Sequence, residues 1–261
     1  MNLEGGNISQ SSCGAPGARV GVDESGKGDF FGPLVVAAAY CDDTLSQRLR
    51  SVGVKDSKLF SSDRAAIAAA EAVAGILGEG RFAVLCIPCG AYNRIYAKMR
   101  NLNRMLAVAH ARCIAKVLEA VPDCKCAVSD QFGDDKAVAA ELALRWSGAV
   151  AVESRPRAES DTAVAAASIL ARARFVKEIE ALQNRFGPDL PKGATTGMVL
   201  PVAVSLAKAY GPVALVDMCK CHFKTLDKAL AAIGASRDAM PPEGRVKSLP
   251  PKAVRRFRAK P

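Results

Sequence analysis

The feature that most constrains this chain is an unbroken apolar run, Leu34–Cys41, that follows a shorter one at Ala18–Asp23. Apolar runs this short, bounded by turn residues, fit strands better than helices. Between them, Glu24–Pro33 carries three glycines and a proline, which marks a turn with wide backbone freedom. The chain therefore opens on two strands joined by a glycine-rich connection.

Further elements follow in alternation. Ser62–Leu77 is alanine-rich and helical, with Ser61, Ser62 and Asp63 available as caps, and Arg81–Ile87 adds a third strand. Tyr92–Ala120 reads as one long amphipathic helix, because Ile95, Met99, Leu102, Leu106, Cys113 and Val117 recur at helical spacing. Short strands at Cys126–Ser129 and Ala149–Val152 flank a helix at Ala137–Trp146. Asp161–Leu182 is a second strong helix, with Ile169, Ala173, Val176 and Leu182 on one stripe. A loop at Pro188–Gly197 precedes helices at Val202–Tyr210 and Leu226–Ile233. Adjacent strands that then alternate with helices predict an α/β fold, a mixed sheet covered by helices. Residues 1–18 read as a flexible leader and 19–235 as the folded sheet-and-helix core; 236–261 read as a basic tail without periodicity, left unstructured.

The formal net charge is +10, which favours a polyanionic partner such as nucleic acid and says nothing about fold. Six of those ten charges come from residues 236–261, where eight Lys/Arg face Asp238 and Glu243. A solvated tail and a non-specific grip on nucleic acid are both compatible with that excess. The nine cysteines invite a disulfide or zinc reading. No secretory signal or membrane-length apolar segment is evident, so reduced thiols and a cytoplasmic location are expected. Cys86-Cys89, Cys124-Cys126 and Cys219-Cys221-His222 lie too far apart in sequence to make a structural zinc site the better reading.

Four acids stand near the ends of predicted elements: Asp23, Glu24, Asp130 and Glu159. Carboxylates gathered at sheet ends cost free energy unless a positive charge neutralises them, and Mg²⁺ or Mn²⁺ suits their hard oxygens. Taken singly, each acid is as easily a turn residue or helix cap. Strand neighbours face opposite ways, so Asp23 and Glu24 can share one ion only if the chain bends between them, and the glycines at 26, 28 and 32 suggest such a bend. Only two histidines exist, and His110 reads as a satisfied helix residue rather than a catalyst. There is neither a nucleophile elbow nor a GxxxxGK[ST] phosphate loop.

The segment Gly21-Val22-Asp23-Glu24-Ser25-Gly26-Lys27-Gly28-Asp29-Phe30-Phe31-Gly32-Pro33 resembles the opening signature of type 2 ribonucleases H, and its Gly-Lys-Gly form resembles ribonuclease HIII. The resemblance continues at Lys55-Asp56-Ser57-Lys58-Leu59, Tyr92-Asn93, Asn101-Leu102-Asn103 and Ser129-Asp130-Gln131-Phe132. It returns at Arg157-Ala158-Glu159-Ser160, Ala165-Ala166-Ala167-Ser168, Leu190-Pro191-Lys192-Gly193 and His222-Phe223-Lys224-Thr225. It implies a ribonuclease H-like fold with a mixed five-stranded sheet, C-terminal helices, and endonucleolytic cleavage of the RNA strand of RNA/DNA hybrids. It also implies two Mg²⁺ or Mn²⁺ ions held by Asp23, Glu24, Asp130 and Glu159, with Glu153 and Asp161 as rivals for the fourth place. Gly26, Lys27 and Gly28 would read the ribose 2′-hydroxyl, while Lys58, Lys192, Gly193 and Arg157 would face the substrate backbone. Products would carry 5′-phosphate and 3′-hydroxyl ends.

Two departures qualify the resemblance. Ribonuclease HIII proteins commonly carry a substrate-binding domain ahead of the signature, where 18 residues stand here, so the basic tail is expected to supply part of that grip. Ala194 stands where ribonuclease HII has a tyrosine that helps it act at a lone ribonucleotide, so runs of ribonucleotides are the expected substrate. Ribonuclease HII-type cleavage, a different nuclease on the same fold, and a non-catalytic nucleic-acid-binding protein are the alternatives. No obligate protein partner is expected, and the chain is expected to act as a monomer.

Overall fold

The structure is a computed structural model and describes residues 13, 17–54, 62–130, 135–156, 158–187 and 189–248; of Glu159 it describes the backbone only. Strands β1 (Arg19–Ser25), β2 (Leu34–Cys41), β3 (Phe82–Ile87), β4 (Cys126–Asp130) and β5 (Ala151–Arg155) form one sheet in the order β3-β2-β1-β4-β5. β1, β2 and β3 are antiparallel, while β1, β4 and β5 run parallel. The expected mixed five-stranded sheet is therefore present.

The alternating side chains of β2 explain its unbroken apolar run. Val35, Ala37, Ala39 and Cys41 face one core, with helices α1 (Asp43–Ser51), α2 (Asp63–Leu77), α6 (Thr162–Phe186), α7 (Thr196–Tyr210) and α8 (Lys224–Ala231). Leu34, Val36 and Ala38 face the other, with α3 (Cys89–Met99), α4 (Leu102–Leu118) and α5 (Asp135–Ala143). A strand covered on both faces loses the polar alternation of a half-exposed one.

Several sequence expectations need correction. Tyr92–Ala120 is not one helix: Arg100 adopts a left-handed conformation (φ 52°), and the Asn101 side chain caps the first turn of α4 by accepting from the Arg104 amide. The two helices line the same core, so the apolar stripe runs across the break. Helix α1 had no counterpart in the sequence reading; Asp42 caps it through the Leu45 amide. α7 begins inside the expected loop, at Thr196.

The tail expected to be unstructured from Ser236 packs as far as residue 248. A 3₁₀ turn, Arg237–Ala239, and a short helix α9 (Pro242–Arg245) are held by Arg237, whose guanidinium meets Asp227 at 2.8 Å and the Gly244 carbonyl at 2.9 Å. The ends differ from expectation in a second way. Cys13, placed in the flexible leader and counted as a free thiol, is disulfide-bonded to Cys126 and buried in a small cluster with Val128, Ala158 and Val164. The other seven cysteines are free, as expected. Among the described residues no helix is long and apolar enough to cross a membrane.

Candidate active site

β1 and β4 are parallel neighbours with Val22 opposite Ser129, so Asp23 and Asp130 are the next pair in register at the same end of the sheet. Asp130 accepts from the Ala158 amide at 3.4 Å, which sets the 3₁₀ turn Ala158–Ser160, and with it the Glu159 backbone, beside β4. The structure thus gathers Asp23, Glu24, Asp130 and the segment carrying Glu159 at one sheet end.

The expected bend between Asp23 and Glu24 is absent. β1 stays in register with β2 through Ser25 opposite Val35, so alternation sends the two carboxylates to opposite faces. Asp23 faces α6, where the Ser168 hydroxyl donates to it. Glu24 faces α4, and its Oε2 lies 3.0 Å from His110 Nε2 while its Oε1 meets Lys27 Nζ at 3.2 Å.

These surroundings push the two carboxyls apart. Burial raises Asp23 to about 6; the neighbouring Glu24 charge adds to the rise, and the Ser168 bond and the Glu24 amide oppose it. Burial also disfavours the Glu24 charge, but the His110 hydrogen bond and charge, together with Lys27, outweigh it and hold Glu24 below the ordinary value. One acid is short of positive charge and the other has it supplied. His110 is the satisfied helix residue expected, but its pairing with Glu24 was not foreseen; a titratable side chain on the apolar Leu106–Cys113 stripe was the available signal.

The glycine-rich turn lies directly beyond this pair. Gly26 has φ 86°, and a Cβ there would overlap the Pro33 carbonyl and crowd the Phe175 ring, so no other residue fits. Gly28 faces open space. The turn is clamped from two sides. Phe30 donates to the Gly193 carbonyl at 2.9 Å, and the Gly193 amide donates to Asp29 Oδ1 at 2.6 Å. Lys220, fully buried, donates through Nζ to the carbonyls of Asp29 (3.0 Å) and Gly32 (2.6 Å), with Nζ 5.6 Å from the Tyr92 ring centre. Asn93 in turn fixes the Lys220 segment, donating to Val216 and Cys219 and accepting from the Cys221 amide at 2.9 Å.

The remaining expected residues divide. Gly193 is part of the clamp, and Lys192 is paired with Asp63 at the start of α2. Lys58 and Arg157 lie outside the described residues. The rivals for the fourth acid have other partners: Glu153 pairs with Arg155 at 2.8 Å and accepts from the Cys13 amide, while Asp161 caps α6 and pairs with Arg19 at 3.0 Å. Among the described residues no three His, Cys, Asp or Glu converge as a ready metal cluster, which leaves the zinc candidates without a site. The pair leaves β1 on opposite faces and so is not arranged around one shared ion. The two carboxyls still act on each other at the strand end, and the oxygens gathered there suit hard divalent cations; Asp23 is held up by burial that a nearby cation would offset.

Fold and acidic sheet end together define an α/β nuclease of the ribonuclease H class, and comparison with known proteins supports this. The family model described as ribonuclease HII matches residues 20–226. Ribonuclease HIII of Protochlamydia amoebophila is 38% identical over 82% of this chain and 69% of its own length. Ribonuclease HIII of Chlamydia felis is 38% identical over 80% of this chain and 69% of its own. The crystal structure of Bst-RNase HIII in complex with Mn²⁺ superimposes with a TM-score of 0.74 at 34% identity, covering 84% of this chain and 70% of that one. The chain belongs to the type 2 ribonuclease H family, and it is an enzyme.

Proposed function

We propose that this enzyme hydrolyses the RNA strand of RNA/DNA hybrids endonucleolytically, leaving 5′-phosphate and 3′-hydroxyl ends, and that it prefers runs of ribonucleotides to a single embedded one. The observation that carries the reading is the Asp23-Glu24 pair, two half-buried acids whose proton affinities are shifted in opposite directions, set against a clamped Gly-Lys-Gly turn. Asp23, Glu24, Asp130 and Glu159 would hold two divalent ions, Mg²⁺ or Mn²⁺; the Mn²⁺ complex of Bst-RNase HIII supports that choice. When bound, such ions lower the pKa of an attacking water and stabilise the departing 3′-oxygen.

The chain's own contribution is positional. Glu24 is kept ionised by His110 and Lys27, so it meets a cation without first losing a proton. Gly26, Lys27 and Gly28 offer a backbone without bulk, over which the ribose 2′-hydroxyl can be read. The buried Lys220 and Gly193 hold that turn in one shape, which suits recognition of a single hydroxyl. Gly193 and Lys192, with Lys58, would line the path of the substrate backbone, Lys192 by exchanging Asp63 for a phosphate. Ala194 supplies no hydroxyl with which to favour a lone ribonucleotide.

The test is cleavage of labelled hybrid, duplex DNA, duplex RNA and a DNA duplex with one ribonucleotide, each with Mg²⁺ and Mn²⁺, by the parent and by Asp23→Asn. The parent should cut the hybrid fastest, and Asp23→Asn should lose at least about 10²-fold in cleavage while still binding hybrid. Equal rates on the lone ribonucleotide would return the enzyme to a ribonuclease HII-type preference. Cleavage undiminished in Asp23→Asn would overturn the site.

A further inference from the structure

We infer that His110 is a positioning residue for Glu24, holding the ligand carboxylate in one orientation with one oxygen committed to the protein and the other left for the metal side. This rests on the proposed reading of Glu24 as a ligand. His110 sits on α4 with a fully buried side chain, on the helix face that also carries the core residues Leu106, Ala107 and Ile114. An apolar side chain would fill that place at no desolvation cost, whereas a buried imidazole has to recover its lost water contacts. Its Nε2 does so at Glu24 Oε2, 3.0 Å away. Because an ionised carboxylate only accepts, the Nε2–H is the donor.

The two partners of Glu24 differ in kind. The Lys27 side chain is 35% exposed, on the turn that meets substrate, and holds Oε1. Its flexible four-carbon stem lets it exchange this contact when a cation or a phosphodiester arrives. The imidazole is locked in the interior of a helix that packs on β1 and β2, so its hold on Oε2 persists. Glu24 therefore has a fixed oxygen and an exchangeable one. Asp23, whose partner is the Ser168 hydroxyl on the opposite face, has no such imidazole, so the two halves of the pair are supported from different helices. Partners of ligating carboxylates that fix their orientation change metal affinity or activity by about 10–100-fold when removed.

The experiment compares His110→Met, which fills the space without a donor, with His110→Gln, whose amide can reach the same oxygen. For each, Mn²⁺ affinity is read from the EPR signal of the free ion in the absence of substrate, with Tm, KM and kcat on hybrid alongside. His110→Met should bind Mn²⁺ about 10–100-fold more weakly and lose kcat at low metal, with KM for hybrid held, and His110→Gln should restore most of both. Parent-like Mn²⁺ affinity in His110→Met would overturn the inference. So would equal impairment of both variants, whether or not Tm falls, because a packing role makes no distinction between them that follows the donor. Glu24→Gln separates this failure from that of the underlying reading. If Glu24→Gln keeps Mn²⁺ affinity and cleavage, Glu24 is not a ligand; if it loses them while His110→Met does not, only the positioning role falls.

Discussion

At the scale of single residues, the second histidine is held among aromatic rings. His222 stacks on Tyr96 with ring centres 4.4 Å apart, and its Nδ1 lies 3.5 Å from the Tyr92 hydroxyl. Burial, then the charges of Lys220 and Arg237, lowers its pKa to about 4. The unfolded chain would take up that proton near 6.5, so the neutral ring contributes stability that is complete above pH 6.5 and is lost as pH falls toward 4. The parent should lose on the order of 2 kcal/mol across that window relative to His222→Phe, which keeps the stacking and cannot titrate. Urea unfolding of both proteins at pH 7 and pH 4.5 provides the measurement. Parallel pH profiles would show that His222 is not held neutral by its surroundings.

Much of the candidate site is legible at this scale, because acids and glycines have few structural reasons to cluster. Asp23, Glu24 and Asp130 stood out at strand ends and are found at one end of the sheet. What the sequence concealed was the pairing. Neither the His110–Glu24 contact nor the Lys220 clamp has a local signature, since each joins residues brought together only by packing. His110 and Glu24 are 86 positions apart in the chain.

At the scale of elements, the close approach of β1 to α6 is what brings Ser168 to Asp23. Gly21 lies against the backbone of Ala163 and Val164, and Ala167, one helical turn on from Ala163, keeps that face of α6 small. A Cβ at position 21 would overlap that helix backbone, which cannot turn aside as a side chain can. Gly21→Ala should therefore cost about 1–3 kcal/mol and, by lifting α6 from β1, should reduce Mn²⁺ affinity with it. A Tm equal to that of the parent would refute the contact. The strands and the long α6 were readable because their periodicity is strong. The break between α3 and α4 was not, since it is made by a left-handed arginine and an asparagine cap inside a pattern that both helices share. The orientation of the acidic pair was hidden for a related reason. Glycines after a strand advertise a turn, but only the pairing of Ser25 with Val35 shows that the strand outlasts both acids.

At the scale of the whole molecule, the basic excess divides into a packed part and a part beyond it. Arg237 and Lys247 are tied to Asp227, and Met240 is buried, so residues 237–248 complete the core and their removal would damage the fold. Residues 249–261 lie outside the described residues; by sequence they hold Lys252, Arg255, Arg256, Arg258 and Lys260 and no acid. If those five cations grip nucleic acid, deleting 249–261 leaves the active site and Arg237 in place while removing phosphate contacts. Hybrid binding should weaken, and the slope of log affinity against log salt should become shallower by up to about 4–5, since each phosphate contact contributes close to one. The turnover of bound hybrid should be unchanged, because no residue of the sheet end is touched. A truncated enzyme with the parent's affinity and salt slope would assign the tail no part in binding. A lowered kcat with an intact slope would tie it to the catalytic core instead. The truncation after 248 distinguishes these outcomes, which a cut after 236 would confound by removing the Arg237 anchor.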